Sequence, residues 1–496
     1  MKSIQIKRTQ LRLLPDARRV LAKPYAVGEE TVLPGPSRTQ LLMARILAIP
    51  EAQVSGLNKE VLHCFEGRHH AFREQLEHQF ELVSQHVPAS TRLTAERRLL
   101  IGAYFTHEYA VEAAALFNPS IVLAPDQSHL GSGEKRFVMS LRAVGEGHLS
   151  SIEFRSGVLD ARGAITLDPP TGRLLGGRRT APSHFDKARF STKLLELGAI
   201  NELSSSVLQR LGAKFTLEEL ETSLGALEAL GPPHAISFET VKIIRVLASS
   251  NYVTSFPSDS ALDERVIFPA GPNETRGMED ARFVRFTADD GSVKYYATYT
   301  AYDGFEILPQ LIETEDFLRF TICTLNGAAA QNKGMALFPR QIDGKYVMLS
   351  RKDRENLHLA TSNDVHQWDA VSELYRPQNP WELLQIGNCG SPIETPAGWL
   401  VLTHGVGPMR RYAIGALLLD LRDPQRVIGH LTRPLMEPDE NEREGYVPNV
   451  LYTCGAIVHA DQLIMPYGFS DAGISVAQLS LSDLLEALVS SPPSGR

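Results

Sequence analysis

The feature of this chain that most restricts its fold is a repeated unit: an apolar or aromatic strand with polar residues placed just where the strand ends. The unit appears as RFVMSLRAVGEGH at Arg136, KYYATYTAYDG at Lys294 and KYVMLSRKDRENLHLATS at Lys345, then as GWLVLTHGVG at Gly398 and QLIMPYGFSDAG at Gln462. The last four begin roughly fifty to sixty residues apart, and each is followed by a further β-like run such as RYAIGALLLDL. Several strands per unit at that period is the signature of a propeller blade. The first and second copies are separated by about three times that spacing.

Helical patterns occupy the remainder. From about 38 to 116, RTQLLMARILAI and TAERRLLIGAYFTHEYAVEAAALF repeat apolar residues every three to four positions. A second block, from about 190 to 250, falls in the long gap between the first two units. There TLEELETSLGALEAL opens with Thr216 and Glu219 at capping-box spacing. The expected architecture is an all-β core, a five-bladed β-propeller, with an α-helical N-terminal region and a helical insertion. Its divisions are 1–116, 117–485 with the insertion inside it, and a C-terminal tail, 486–496.

A net charge of -8 argues against a nucleic-acid partner, which would require a basic face. Cys64, Cys323, Cys389 and Cys454 form no close pair, so neither a disulfide scaffold nor a zinc site is expected. The first residues are charged throughout, and no run of about 18 apolar residues occurs, so a cytoplasmic protein without a membrane partner is expected. Metalloprotease, EF-hand, P-loop and dinucleotide fingerprints are missing, and with them any reason to expect a metal or nucleotide cofactor. No G-x-S-x-G elbow supports a nucleophilic serine.

In a propeller, polar groups at equivalent strand ends meet in one funnel. Arg142, Asp280, Arg351, His404 and Asp471 are distributed in that way. The densest cluster is GMEDARF, where alternation along a strand lets only one of Glu279 and Asp280 face a given pocket. A surface run of salt bridges accounts for the same residues. GHLSSIEFR groups His148, Ser150, Ser151 and Arg155, either for sugar hydroxyls or an anion or as a strand-end turn. LTHGVGPMRRY sets His404, Arg410 and Arg411 beside two glycines, a loop able to hold phosphate through charge-assisted hydrogen bonds or to remain a solvated hairpin. GNCGSPIET offers Asn388 and Glu394 on a tightly packed loop.

Taken in order, FNPSIV, SLRAVGEGHLSSIEFR, GMEDARF, NKGMALFP, GKYVMLSR, GNCGSPIETPAGWLVLTHGVG, ALLLDLRDPQRVIG, GYVPNVLYTCG and IMPYGFSDAGISVA resemble glycoside hydrolase family 130. The resemblance covers about 117–160 and 265–485. It implies a five-bladed propeller and an inverting β-mannoside phosphorylase acting on β-1,2-linked manno-oligosaccharides, with an inverting β-mannosidase as the alternative. It also implies that Asp280 is the proton donor, acting through the 3-hydroxyl of the bound mannose. By the same matching, Asn118, Arg142, Ser150, Ser151 and Asp471 hold the mannosyl unit, while Arg351, His404 and Asn332 fall among the phosphate ligands. Gln331, Gln385 and Thr403 depart from the family pattern of basic and tyrosine residues, which leaves phosphate binding either weaker or rebuilt from Arg410 and Arg411. In the mannosidase reading, Glu394 or Glu444 would activate water. A non-catalytic glycan-binding propeller needs no acid at all. The implied partners are a β-mannoside oligosaccharide and inorganic phosphate as co-substrate, and the N-terminal helical layer offers a surface for a homo-oligomer.

Overall fold

The computed structural model describes residues 4–28, 35–228, 235–305 and 307–490. Five antiparallel meanders follow one another along the chain. The first comprises Ala115–Leu123, Lys135–Val144 and Ser150–Leu159; the second, Gly277–Thr287, Val293–Tyr302, Ile307–Thr314 and Arg319–Thr324. Ala336–Leu337, Tyr346–Ser350, Leu357–Ser362 and Ala370–Tyr375 make the third. Gln385–Asn388, Gly398–Val406, Tyr412–Leu419 and Val427–His430 make the fourth, and Leu451–Tyr452, Gln462–Phe469 and Gly473–Ser480 belong to the fifth. Many of these strands are apolar on both faces, as strands covered on both sides must be: all nine residues of Gly398–Val406 are buried. The first two meanders share one sheet through the parallel pairing of Gly277 with Ser150.

The fifth meander is completed from the other end of the chain. Lys7–Leu13 pairs antiparallel with Gly473–Ser480, placing Lys7 opposite Gln478 and Leu13 opposite Ile474. Leu11 and Leu13 pack on a buried cluster that includes Ile474 and Val476, and the Arg12 guanidinium lies 4.9 Å from the centre of the Phe469 ring. The expectation of a helical region from the first residue is corrected here. A charged segment such as KRTQLRL becomes a strand only because its partner is more than four hundred residues away in sequence.

The N-terminal helices are Arg38–Leu47, Glu51–Phe65, Phe72–Val83 and Ala95–Tyr104, with Ser37 and Gln40 closing a capping box at the start of the first. Helix does not continue to residue 116. Thr106–Ala110 pairs with Val20–Pro24, and Ala115 already opens the first meander. The helix-like spacing of VEAAALF is overridden by a buried ion network. Glu112 receives Arg19 at 2.9 Å and Arg155 at 2.5 Å, and Arg19 also reaches Glu153 at 2.7 Å. A carboxylate so buried needs those partners more than it needs a helical register.

The insertion holds Lys187–Glu196, Glu202–Gln209, Leu217–Glu228 and Ala235–Ser249. Thr216 Oγ1 accepts from the Glu219 N–H at 3.2 Å while Glu219 accepts from the Thr216 N–H at 2.7 Å, the expected capping box. These helices bury their own core around Phe190, Leu194, Phe215, Leu220 and Ile244. The chain leaves them through Tyr252–Ser255, which extends the second meander beside Arg319–Thr324. At the C-terminus, Leu481–Val489 is a helix packed on the fourth and fifth meanders rather than a tail, and 491–496 lie outside the described residues. No helix among the described residues is long and apolar enough to cross a membrane.

Candidate active site

Asn118, Arg142, Glu279, Asp280, Lys333, Arg351, His404, Arg410, Tyr412, Tyr452 and Asp471 line one cavity of about 190 Å³, completed by Val447 and Val450. All five meanders contribute. Four of the polar groups owe their position to unusual backbone. Asn118, Asp280, Arg410 and Asp471 have φ of 50°, 54°, 55° and 49°, the left-handed region that Asn and Asp tolerate best among residues with a side chain.

At Asp280 this conformation corrects the sequence expectation. Glu279 pairs with Thr300 and Arg282 with Thr298, so one extra residue is bulged out of the Gly277–Thr287 strand. The bulge cancels the alternation of faces, and Glu279 and Asp280 both line the cavity. Arg142 bridges them, with Nη2 2.9 Å from Glu279 Oε1 and Nη1 3.2 Å from Asp280 Oδ1. Asn118, on a second bulge between Phe117 and Ser120, donates from Nδ2 to Asp280 Oδ1 at 2.6 Å. The Lys333 ammonium pairs with the other oxygen of Glu279.

Beneath the cavity floor lies Arg282, fully buried. It donates to the Asp280 carbonyl at 2.9 Å, the Cys389 carbonyl at 3.1 Å and the Tyr452 hydroxyl at 2.7 Å. One guanidinium thus ties the second, fourth and fifth meanders together under the site. Burial alone would raise the Asp280 pKa, but Arg142, Arg282, Lys333 and the Asn118 hydrogen bond outweigh it and hold the carboxyl at about 2.

Asp471 behaves in the opposite way. Burial, reinforced by Asp280 and Glu279 and opposed by Arg142 and Arg410, pushes its carboxyl up to about 7. A carboxyl whose folded pKa is raised contributes stability that is fully present below its unfolded value, about 4, and lost as pH rises through the folded value. Asp471→Asn should therefore gain thermal stability relative to the parent as pH rises from about 4 to above 7, in ligand-free protein followed by circular dichroism. A constant offset between the two melting curves at every pH would show that Asp471 does not hold that proton.

Across the cavity, Arg351 has no carboxylate partner among the described residues. Its Nη1 lies 3.2 Å from His404 Nε2. Since a guanidinium only donates, Nε2 accepts, and the ring is neutral. Burial first, then Arg351 and Arg282, hold His404 well below the ordinary histidine range, in agreement with that geometry. Gly387 makes the pairing possible, since a Cβ there would lie 2.6 Å from both Arg351 Cδ and His404 Cε1. The side chain of Asn388 is fully buried, and both its polar atoms, like Arg351 Nε, lack a protein partner.

Several expected residues lie elsewhere. Ser150 and Ser151 are buried behind the cavity, Ser150 donating to the Met278 carbonyl at 3.0 Å where the first two meanders join. Asn332 turns away from the cavity: its amide donates to the Lys352 carbonyl and its Oδ1 accepts from Arg354 at 3.0 Å, which fixes the loop carrying Lys333. Arg411 pairs with Glu437 at 2.7 Å, outside the cavity, whereas Arg410 lines it. Glu394 is held by Arg340 at 2.6 Å and lines a separate cavity, and Glu444 is exposed and outside the lining. Lys333, Tyr412 and Tyr452 line the cavity as well, although none is expected there from sequence. Each lies inside or beside a recognised motif, so the motifs were the available signal.

A polar cavity with acids on one wall and, on the other, an arginine without a carboxylate partner among the described residues suits a polyhydroxylated ligand beside an anion. Comparison with known proteins agrees. The glycoside hydrolase family 130 profile, described as beta-1,4-mannooligosaccharide phosphorylase, matches residues 257–490. The 1,2-beta-oligomannan phosphorylase of Thermoanaerobacter sp. (strain X514) is 35% identical over 236 residues, covering 45% of this chain and 75% of that protein. The beta-1,2-mannobiose phosphorylase of Listeria innocua is 32% identical over 236 residues, covering 46% of this chain and 64% of its own length. The solved structure of beta-1,2-mannobiose phosphorylase from Listeria innocua with beta-1,2-mannobiose matches with a TM-score of 0.44 at 24% identity, covering 76% of this chain and 92% of that one. The chain belongs to glycoside hydrolase family 130, enzymes that act on β-mannosides by phosphorolysis or hydrolysis.

Proposed function

We propose that this chain is an inverting β-mannoside phosphorylase, converting β-1,2-linked manno-oligosaccharides and phosphate to α-mannose 1-phosphate. The observation that carries the reading is Arg351: a guanidinium without a carboxylate, set between a neutral histidine and the unpartnered amide of Asn388. Such a group needs an anion, and a planar fork suits phosphate. The opposite wall, where Arg142 is already neutralised by Glu279 and Asp280, suits sugar hydroxyls instead.

In this mechanism a phosphate oxygen attacks C1 of the mannosyl unit from the Arg351 side as the C1–O bond to the leaving sugar breaks. The departing oxygen takes the 3-hydroxyl proton, and Asp280 replaces it. The low pKa of Asp280 belongs to the ligand-free cavity. Phosphate offsets the cationic field of Lys333, Arg142 and Arg282, and a bound sugar removes water, so both ligands raise the carboxyl toward the value a general acid needs. Hydrolysis with Glu394 or Glu444 as the base has less support, since neither reaches the cavity.

The five meanders are read as five propeller blades with the site in the mouth of their common channel. Two cavities support this. The one described takes residues from every meander. A second, of about 450 Å³, takes Val122, Phe283, Arg340, Ile393 and Val458, again spanning all five, from further along the same inner strands and adjoining loops. The catalytic unit then comprises 117–485 together with the Lys7–Leu13 strand.

The deciding experiment is product analysis on β-1,2-mannobiose and mannotriose with and without inorganic phosphate. Mannose 1-phosphate formed only with phosphate is the expected result. Free mannose released at a rate indifferent to phosphate would overturn the proposal in favour of hydrolysis.

A further inference from the structure

Away from the cavity, Glu313, Cys323 and His366 bring one donor atom each to within 4.8 Å of one another. Glu313 and Cys323 sit on neighbouring strands of the second meander. Leu311 faces Cys323 and Glu313 faces Thr321, so the two side chains are diagonal neighbours on one face. His366 arrives from the turn after Leu357–Ser362 in the third meander. Its Nε2 lies 2.6 Å from Glu313 Oε1, and its Nδ1 lies 3.2 Å from Asp364 Oδ1. The thiol is free, and Cys323 and His366 line a cavity of about 110 Å³ whose other wall includes His184 and Phe190 of the inserted segment.

We propose that Glu313, Cys323 and His366 form a binding site for a zinc-like divalent transition metal, with the fourth position open to that cavity. Imidazole nitrogen, thiolate and carboxylate are the donors zinc prefers, and three protein ligands with one open position is a familiar arrangement for it. Asp364 on the far ring nitrogen is the carboxylate support that orients ligating histidines. Lys294 occupies the other oxygen of Glu313, leaving that carboxylate to bind through one oxygen only.

Charge balances as well. A thiolate and a carboxylate neutralise the dication, with the imidazole neutral. Without metal the His366 ring meets a carboxylate at each nitrogen, Glu313 at Nε2 and Asp364 at Nδ1. Metal binding replaces the ring proton and releases it with the thiol proton, so nothing is oxidised or reduced. Tetrahedral ligation needs donor atoms about 3.3–3.7 Å apart. The His366–Glu313 pair must open slightly and the Cys323 sulfur close in, movements within reach of side-chain rotation. A bound ion would staple the second meander to the third at the edge of the helical insertion. Glu313, Cys323 and His366 are too widely separated in the chain for any ligand-spacing motif to mark them.

The test uses the full chain stripped with a chelator and titrated with Co²⁺, then with Zn²⁺ in competition. One equivalent of Co²⁺ giving a thiolate-to-cobalt charge-transfer band is expected. Cys323→Ser should abolish the band and weaken Zn²⁺ binding at least tenfold, and Asp364→Asn should weaken it about tenfold through the ring support. Circular dichroism confirms that each variant is folded. A missing charge-transfer band, or Zn²⁺ affinity unchanged in folded Cys323→Ser, would overturn the site and leave His366 as the cation of an ion pair.

Discussion

Asp280→Asn is expected to lower turnover by about 10³ or more, with substrate binding and fold retained, because general acid catalysis contributes about 10²–10⁴. The amide keeps the shape of the carboxyl and an oxygen to accept from Asn118 and Arg142, which meet Asp280 at 2.6 Å and 3.2 Å. Glu279 remains as a counter-charge for Arg142. What the variant lacks is a proton to pass on. The measurement is kcat at saturating oligosaccharide and phosphate, beside a circular dichroism melt. Near-parental turnover in a folded variant would remove Asp280 from the mechanism and turn attention to Asp471, the carboxyl pushed up to about 7 on the same cavity.

The second large effect belongs to Arg351. Arg351→Ala should raise the KM for phosphate about ten- to hundredfold, the range expected when charge-assisted hydrogen bonds worth about 1.5–3 kcal/mol are lost. The KM for the oligosaccharide should move far less. The asymmetry follows from the charge map of the cavity: Arg142 and Lys333 are engaged by Glu279, while Arg351 has only the neutral His404 beside it. Initial rates with each substrate varied in turn separate the two constants. Equal increases in both would show that Arg351 supports the whole cavity rather than cradling phosphate.

The departures from the family pattern take on a definite meaning at this site. Thr403 is buried within the Gly398–Val406 strand and absent from the cavity lining. Gln385 donates to the Tyr412 hydroxyl at 3.3 Å and so positions a lining residue from behind. The cationic lining comes from Arg142, Lys333, Arg351 and Arg410, of which Arg410 is the replacement expected from sequence, while Arg411 lies outside the cavity.

Much of the fold was legible because strand periodicity and helix capping are local. Thr216 and Glu219 cap their helix as three-residue spacing requires, and the repeated strand-and-turn unit corresponds to the observed meanders. Reading failed where a distant partner decided the outcome. KRTQLRL is a strand because Gly473–Ser480 offers it an edge, and VEAAALF leaves its helical register because Glu112 must meet Arg19 and Arg155.

The site divides in the same way. Residue types and their order along the chain were enough to name Arg142, Asp280, Arg351, His404, Arg410 and Asp471, and the family resemblance added Asn118; all seven share the cavity. Which neighbours join them was decided only by tertiary structure. A single bulged residue brings Glu279 beside Asp280, the loop fixed by Asn332 presents Lys333, and the Arg340 pair keeps Glu394 at a different cavity. Side-chain chemistry is a property of the residue and can be read one letter at a time. Direction and proton affinity depend on backbone geometry and on charges contributed by distant segments, and those exist only once the chain has folded.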